Sequence, residues 1–155
     1  MAAAVTIRIQ QADFDIGREI AGLTKGRTDI GAVVSFSGIC RGTEGDDAIA
    51  ALTLEHYPDM AEAEIARHVE TATSRWPLNA VTVIHRVGRL TPGENIVLVL
   101  TASAHRQAAF EAAEFLMDYL KANAPFWKRE ESAAGASWVD ARHHDDAAAA
   151  RWTKP

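Results

Sequence analysis

Short segments that suit β-strands come in pairs between helical segments, and this alternation constrains the fold more than any other feature of the sequence. From alternating or continuous apolar runs, strands are predicted at residues 5–9, 31–38, 51–57, 80–86, 96–101, 126–131 and 137–141. Helices are predicted at residues 13–25, 58–76 and 104–123, and in the Ala-rich segment that ends near Trp152. Strands joined as hairpins between helices predict an α+β fold with a mixed, largely antiparallel sheet and three to four helices.

Capping and turn residues support these boundaries. Asp13 or Asp15 is expected to cap the first helix, and Ser103 to cap the third. Pro125 is expected to stop that third helix. In TPGE (91–94), proline and glycine stand where a type II turn requires them, which predicts a tight connection between two strands.

The length of 155 residues predicts one domain over residues 1–155. We expect residues 5–9 to form an edge strand, and residues 31–38 to form a buried strand because they are almost continuously apolar. The domain is expected to contain an N-terminal strand and helix (1–29), a mobile loop (41–50) and a C-terminal helix and tail (143–155).

Composition excludes several classes of protein. No apolar run approaches the roughly 20 residues of a membrane span, and the start of the chain does not resemble a secretory signal. A net charge of −5 disfavours nucleic-acid binding, so an anionic ligand requires a local basic cluster. The single cysteine, Cys40, is consistent with a reducing cytoplasm.

The first basic candidates stand at the two ends of the third helix. His105 and Arg106 fall in its first turn, where free N–H groups beside cations favour an anion site. The alternative is that Arg106 points to solvent or pairs with a carboxylate such as that of Glu111. Lys121 falls at the helix C-terminus, where a lysine often only compensates the helix dipole.

Lys128 lies in a different environment, a predicted strand that also contains Phe126 and Trp127. With Lys121 and Arg129 it makes three cations within nine residues. Like charges held together and partly desolvated lower an amine pKa, which favours a base or a nucleophile. A basic pocket for a phosphate or a carboxylate is the alternative.

Six sequence blocks then show a resemblance, in one order along the chain. They are GAVVSFSGICR (31–41), LEHYPDMA (54–61), HRVGRLTPGE (85–94), SAHRQAAFEAAEFLMDYLK (103–121), PFWKRE (125–130) and WVDAR (138–142). Over about residues 30–152, the chain resembles the molybdopterin synthase catalytic subunit family.

The resemblance implies a sulfurtransferase that converts a cyclic pyranopterin monophosphate into molybdopterin. It implies that sulfur arrives as a thiocarboxylate on the C-terminal Gly-Gly tail of a small ubiquitin-like carrier, and that the tail threads into a pocket. The resemblance further implies a homodimer with one carrier at each end, which together form a heterotetramer. This assembly is expected in the cytoplasm. No cofactor, metal, nucleic acid or membrane is expected to take part.

The resemblance also implies site residues. Lys121 and Lys128 match the family's catalytic lysines, with Lys121 expected to act on the incoming tail and Lys128 to stabilise charge or transfer a proton. The expected substrate-binding residues are both lysines together with Arg41, His105, Arg106, Arg129, Glu130 and Arg142.

Other residues have simpler interpretations. Cys40 beside Arg41 could be reactive, but free cysteines mostly pack in cores, and the implied sulfur comes from the partner. His85 is interpreted as a structural histidine, and His143–His144 as a solvated pair without a third metal ligand. A non-catalytic module that binds a ubiquitin-like partner or a phosphorylated ligand, and a regulatory dimer that binds a small anion, remain the alternative functions.

Overall fold

The structure is a computed structural model, and it describes residues 2–123, 126–133, 135–139 and 143–153, with backbone only at 58 and 143–146. The strands are β1 Ala4–Gln10, β2 Ala32–Ile39, β3 Thr43–Glu44, β4 Asp47–His56, β5 Leu78–Arg86, β6 Gly88–Leu90, β7 Asn95–Ser103, β8 Phe126–Ser132 and β9 Gly135–Val139. The helices are α1 Ile16–Thr24, α2 Pro58–Arg75, α3 Arg106–Asn123 and α4 His143–Ala150, followed by a 3₁₀ turn at Arg151–Thr153.

Four strands form the first sheet, in the order β1-β5-β7-β2. β1 pairs with β5 in parallel, whereas β5 with β7 and β7 with β2 are antiparallel. The central strands β5 and β7 are almost entirely buried because helices cover both faces of the sheet. On one face, α2 and α3 pack against Val81 and Val83; on the other, α1 packs against Ile84 and Leu98.

The second sheet has five strands, in the order β3-β4-β8-β9 with β6 paired to β4. Its main ladder is antiparallel and runs from Ile49 opposite Ser132 to His56 opposite Phe126. Because side chains alternate across a strand, Phe126 and Lys128 share one face of β8 while Trp127 and Arg129 share the other. This sheet completes the mixed, largely antiparallel α+β architecture that the sequence predicts.

Local signals placed several boundaries correctly. Asp15 caps α1, its side chain accepting a hydrogen bond of 2.9 Å from the Arg18 N–H. The TPGE turn is also confirmed, with Gly93 at φ 91° and Glu94 N donating to Thr91 O at 3.0 Å. β1 is an edge strand, and β8 and β9 form the predicted late hairpin.

Four local predictions were wrong or lie outside the described residues. β2 contains no fully buried residue because it lies at a sheet edge, where β7 is the one described strand that pairs with it. Much of the predicted loop at 41–50 is instead the hairpin of β3 and β4, which turns through Gly45 at φ 61°. Ser103 ends β7, and its hydroxyl donates to Pro77 O at 2.8 Å. Its oxygen accepts a long hydrogen bond of 3.5 Å from His105 N, which precedes α3, so Ser103 is not the N-cap of a helix that begins at Arg106. Pro125 lies outside the described residues.

Within the described ranges, no helix combines the length and the apolar character that crossing a membrane requires.

Candidate functional site

A cavity of about 400 Å³ opens where the two sheets meet the C-terminal end of α3. Much of its wall is apolar and comes from β2, β4, β7, α3, β8 and β9. The polar and charged side chains that line it are those of Cys40, Arg41, Glu44, His85, Lys121, Lys128 and Glu130. Three cations face two carboxylates among these described residues, so the cavity wall is locally basic in a chain of net charge −5.

Arg41 reaches the cavity because the TPGE turn fixes the preceding residue. Cys40 N donates to Glu94 O at 2.8 Å, and Gly93 N donates to Cys40 O at 2.8 Å. The Glu94 carboxylate in turn accepts a hydrogen bond from Thr91 N at 2.6 Å. Hydrogen bonds from Thr91 hold the pKa of this carboxylate below its usual range. The Arg41 guanidinium is exposed and forms an ion pair with Glu44, which lies in the same wall.

Lys121 lies in the last turn of α3, and its side chain is exposed. The helix is fixed by a buried face that includes Ala112, Phe115 and Leu116. Met117, one turn earlier, is buried and also lines the cavity. Packing of α3 against the first sheet therefore sets the position of Lys121 at the cavity.

Lys128 approaches the cavity from the other sheet. It pairs with Leu54 of β4 and with Val139 of β9, and its side chain is half-buried. Glu130 lies two residues further on the same face of β8 and lines the same cavity. Arg129 has the opposite orientation, is exposed and pairs with Trp138, so the structure does not bring it to the cavity wall.

His105 and Arg106 lie elsewhere, in a separate shallow depression at the N-terminal end of α3. Gly31 packs so closely beneath this turn that a Cβ there would lie 2.2 Å from Ala104 O. The suggested pairing of Arg106 with Glu111 does not occur. The Glu111 carboxylate instead accepts from Trp76 Nε1 at 2.8 Å and from Gln107 Nε2 at 3.2 Å.

The two basic clusters are separated by the length of one helix. Arg106 and Lys121 stand 15 residues apart in the continuous helix α3, which corresponds to about 22 Å along its axis. One chain therefore does not bring both to one small ligand. Arg142, the remaining predicted anion-binding residue, lies outside the described residues.

Sequence reasoning missed two polar residues of the cavity wall, Glu44 and His85. His85 was interpreted as a structural histidine, and its ring does make a hydrogen bond of 2.8 Å through Nδ1 to Arg86 O. It nevertheless lines the same cavity as Lys121 and Lys128. The pairing of β5 with β7 and the closure of β8 over it create this proximity, and neither is visible as a local motif.

Cys40 is buried in the same wall. Burial, with smaller effects from Glu94 and Glu130, raises the pKa of its thiol. The adjacent Arg41 thus does not activate Cys40, which favours the packing role. Among the described residues, no group of three or more histidine, cysteine or acidic side chains is placed to hold a metal ion.

Comparison with known proteins identifies the family. A family model described as MoaE protein matches residues 9–123. The molybdopterin synthase catalytic subunit of Mesorhizobium japonicum is 63% identical over 151 residues, covering 96% of this chain and 94% of that protein. The chain belongs to the MoaE family.

Other relatives agree with this assignment. The molybdopterin synthase catalytic subunit of Escherichia coli K12 is 51% identical over 150 residues, covering 97% of this chain and 99% of that protein. A solved MoaE structure from Burkholderia ambifaria superimposes with a TM-score of 0.82 at 47% identity, covering 100% of both chains. The resemblance seen in the sequence is confirmed, and membership of the MoaE family makes the chain an enzyme of molybdopterin biosynthesis.

Proposed function

We propose that the chain transfers sulfur to a cyclic pyranopterin monophosphate, forming molybdopterin, and takes that sulfur from the C-terminal thiocarboxylate of a small ubiquitin-like carrier. The observation that supports this most strongly is the placement of Lys121 and Lys128 in one cavity, approached from two different elements. A homologous structure from Helicobacter pylori, described as a complex of subunits 1 and 2 of molybdopterin-converting factor, is consistent with a small partner.

The wall of the cavity suits two anionic reactants. A guanidinium such as that of Arg41 can bind two phosphate or carboxylate oxygens at once. The apolar part of the wall lowers the local polarity, which strengthens the attraction between an ammonium group and an anion. Arg41 already pairs with Glu44, so an incoming anion competes with that carboxylate for the guanidinium.

The different exposure of the two lysines supports a division of roles. Lys121 is exposed at the end of α3 and meets the carrier tail as it enters from solvent. Lys128 is half-buried and stabilises the charge that develops when sulfur leaves the thiocarboxylate, or transfers a proton there. Glu130, on the same face of β8, lines the substrate pocket beside Lys128.

His105 and Arg106 are proposed to reach the pocket from a second copy of the chain. Because His105 and Arg106 lie about 22 Å from Lys121 along α3, we propose that they complete the pocket of a partner protomer across a two-fold homodimer interface. Arg142 is proposed to contribute to anion binding as well. With one carrier at each pocket, the complete assembly is a heterotetramer, which we place in the cytoplasm.

A single-turnover assay tests the proposed reaction. The chain is mixed with the pterin monophosphate and at least two equivalents of a thiocarboxylated carrier, since a dithiolene contains two sulfurs and each carrier brings one. The dithiolene product is measured by mass spectrometry. The same carrier with an ordinary C-terminal carboxylate is the matched control. Product in the first mixture alone is expected. If the complex forms but no sulfur reaches the pterin, the proposed reaction is wrong and the enzyme catalyses a different one.

The threading of the carrier tail is tested separately by calorimetry. An extended anionic tail that enters a basic cavity gains attraction from charge, so affinity is expected to fall as salt rises. A carrier that lacks its C-terminal Gly-Gly is expected to bind far more weakly. Equal affinity for the intact and the truncated carrier is incompatible with threading.

A further inference from the structure

His85 is a buried polar residue in the cavity wall whose chemistry the proposed reaction does not yet use. It lies in β5 opposite Val97 of β7, and only 7% of it is exposed. The imidazole lines the cavity together with Lys121 and Lys128. A titratable ring beside two lysines in an apolar wall affects their hydrogen bonding and their charge.

One ring nitrogen of His85 is committed to the protein. Nδ1 lies 2.8 Å from Arg86 O, and a carbonyl oxygen only accepts hydrogen bonds, so Nδ1 carries the hydrogen. In the neutral ring, Nε2 is then the acceptor. The fully buried side-chain atoms without a partner in the described ranges are His68 Nε2 and Asn79 Oδ1. Nε2 of His85 also has no partner in those ranges, yet it is not one of these fully buried atoms. It is therefore partly exposed and in contact with open space.

The ring is also held by stacking. His85 and Phe126 lie with their centroids 4.0 Å apart and their planes at 14°. Phe126 is itself 6.0 Å from the ring of His56 on β4. Because Phe126 and Lys128 are two residues apart on one face of β8, the stack fixes His85 relative to the strand that carries Lys128.

Burial, together with the charges around the ring, keeps His85 neutral. Burial is the largest cause that lowers the pKa of His85, to about 4. The cations Lys128 on β8 and Lys121 on α3 lower it further, as does His56 on β4, while the bond to the Arg86 carbonyl acts in the opposite direction. At neutral pH the ring is therefore an uncharged acceptor close to two ammonium groups.

We propose that His85 is a positioning residue of the cavity. A rotation of a lysine side chain, that of Lys128 first, brings its ammonium group within hydrogen-bond distance of Nε2, which accepts the bond and holds the ammonium group toward the bound anion. A lysine ammonium has three donors, so this bond coexists with the other contacts of Lys128. The inference rests on the proposed sulfur transfer for its role in the reaction. The hydrogen bond itself does not depend on that reaction.

Two conservative variants distinguish the roles of the two ring nitrogens of His85. In His85→Asn the amide reaches the position of Nδ1 and keeps a donor for Arg86 O, but it offers nothing at Nε2. In His85→Gln the amide reaches the position of Nε2 and restores an acceptor there. His68→Asn is the matched control, since His68 is also a buried histidine, stacked on Tyr119 at 4.4 Å, but does not line the cavity.

The decisive measurement is the titration of the lysine ammonium groups by NMR in isotopically labelled protein, with Lys128→Arg used to assign the Lys128 signal. A hydrogen bond to the charged form raises a lysine pKa, so His85→Asn is expected to lower that of Lys128 by about 0.5 or more. His85→Gln is expected to restore it, and His68→Asn to leave it unchanged. An unchanged titration of both lysines in folded His85→Asn overturns the proposal.

A measurement on the wild-type chain covers the case in which the variants do not fold. The nitrogen chemical shifts of His85 are expected to show a protonated Nδ1 and a hydrogen-bonded, unprotonated Nε2. A shift typical of a free Nε2, or the opposite tautomer, contradicts the proposal.

The same variants in the single-turnover assay separate this inference from the proposed function. His85→Asn is expected to slow sulfur transfer at least about tenfold, with partial recovery in His85→Gln. If the wild-type chain transfers no sulfur while the Lys128 titration still responds to His85, the proposed function is wrong and the hydrogen bond is real. If sulfur transfer is normal in His85→Asn, the positioning role is wrong.

Discussion

The imidazole of His85 lies almost parallel to the phenyl ring of Phe126, with the two centroids 4.0 Å apart. This contact joins β5 of the first sheet to β8 of the second at the wall of the cavity. The position of Lys128 thus depends on how the two sheets meet. A substitution at the contact is expected to affect both the stability and the chemistry of the site.

The first prediction concerns stability and pH. His85 has a folded-state pKa of about 4 against an ordinary value of 6.5, so the folded chain favours the neutral ring. The contribution of this neutral ring to the free energy of unfolding is complete above pH 6.5 and is lost as pH falls toward about 4. The difference corresponds to roughly 3 kcal/mol over that window. Chemical unfolding at a series of pH values measures it.

The matched comparison is His85→Phe, which keeps a ring for stacking and does not titrate. The free energy of unfolding of the wild type is expected to fall more steeply than that of the variant between pH 6.5 and 4. The two curves are expected to run parallel above pH 7. Parallel curves over the whole range contradict the neutral, buried state of His85.

The second prediction concerns the lysines. Lys121→Ala or Lys128→Ala is expected to reduce single-turnover sulfur transfer at least about a hundredfold, because each removes a cation to which the proposed reaction assigns charge stabilisation or proton transfer. Neither is expected to unfold the chain, since Lys121 is exposed and Lys128 lines an open cavity, so that its loss leaves no closed void. Lys25→Ala, at the exposed C-cap of α1, is the control and is expected to be fully active. Normal turnover in a folded Lys121 or Lys128 variant removes that lysine from the mechanism.

Most of the fold could be predicted from the sequence because it depends on local patterns. Apolar periodicity located α2 and α3, and proline and glycine located the turn at 91–94. The prediction for β2 failed because burial depends on the position of a strand in the sheet. The β3–β4 hairpin was missed because its polar, Gly-containing sequence also suits a loop.

The candidate site was predictable only where it coincided with sequence motifs. Lys121 and Lys128 were selected from their positions and charge and again from the resemblance, whereas Arg41 was selected from the resemblance alone. The structure places all three around one cavity. Arg129 was selected with Lys128, but strand alternation directs it to the other face of β8. His85 was missed since its proximity to the lysines comes from contacts between the two sheets, which no single segment encodes.

The third prediction concerns Cys40. Its thiol is buried and its pKa is raised, and the proposed sulfur comes from the carrier, so Cys40→Ala is expected to retain most of the activity. Loss of the buried sulfur is expected to cost about 1 kcal/mol of stability, measured by chemical unfolding. A folded but inactive Cys40→Ala enzyme contradicts the packing role and makes the thiol part of the reaction.

The last prediction follows from the separation of Arg106 and Lys121 along α3. About 22 Å of helix lies between them, so one pocket uses both residues only if they come from two protomers. Arg106→Ala and Lys121→Ala homodimers are each expected to be nearly inactive, because every pocket of either dimer contains one substitution.

Mixed dimers distinguish the composite pocket from a pocket within one chain. In a dimer of one Arg106→Ala and one Lys121→Ala protomer, one composite pocket carries both substitutions and the other carries neither. Activity is therefore expected to return to about half that of the wild-type dimer when protomers are exchanged, measured per mixed dimer after separation by distinct affinity tags. The matched control is a mixture of Arg106→Ala with Arg106→Ala, which is expected to stay inactive. If purified mixed dimers are as inactive as their parents, both residues act within one chain, and α3 does not span from one pocket to the next.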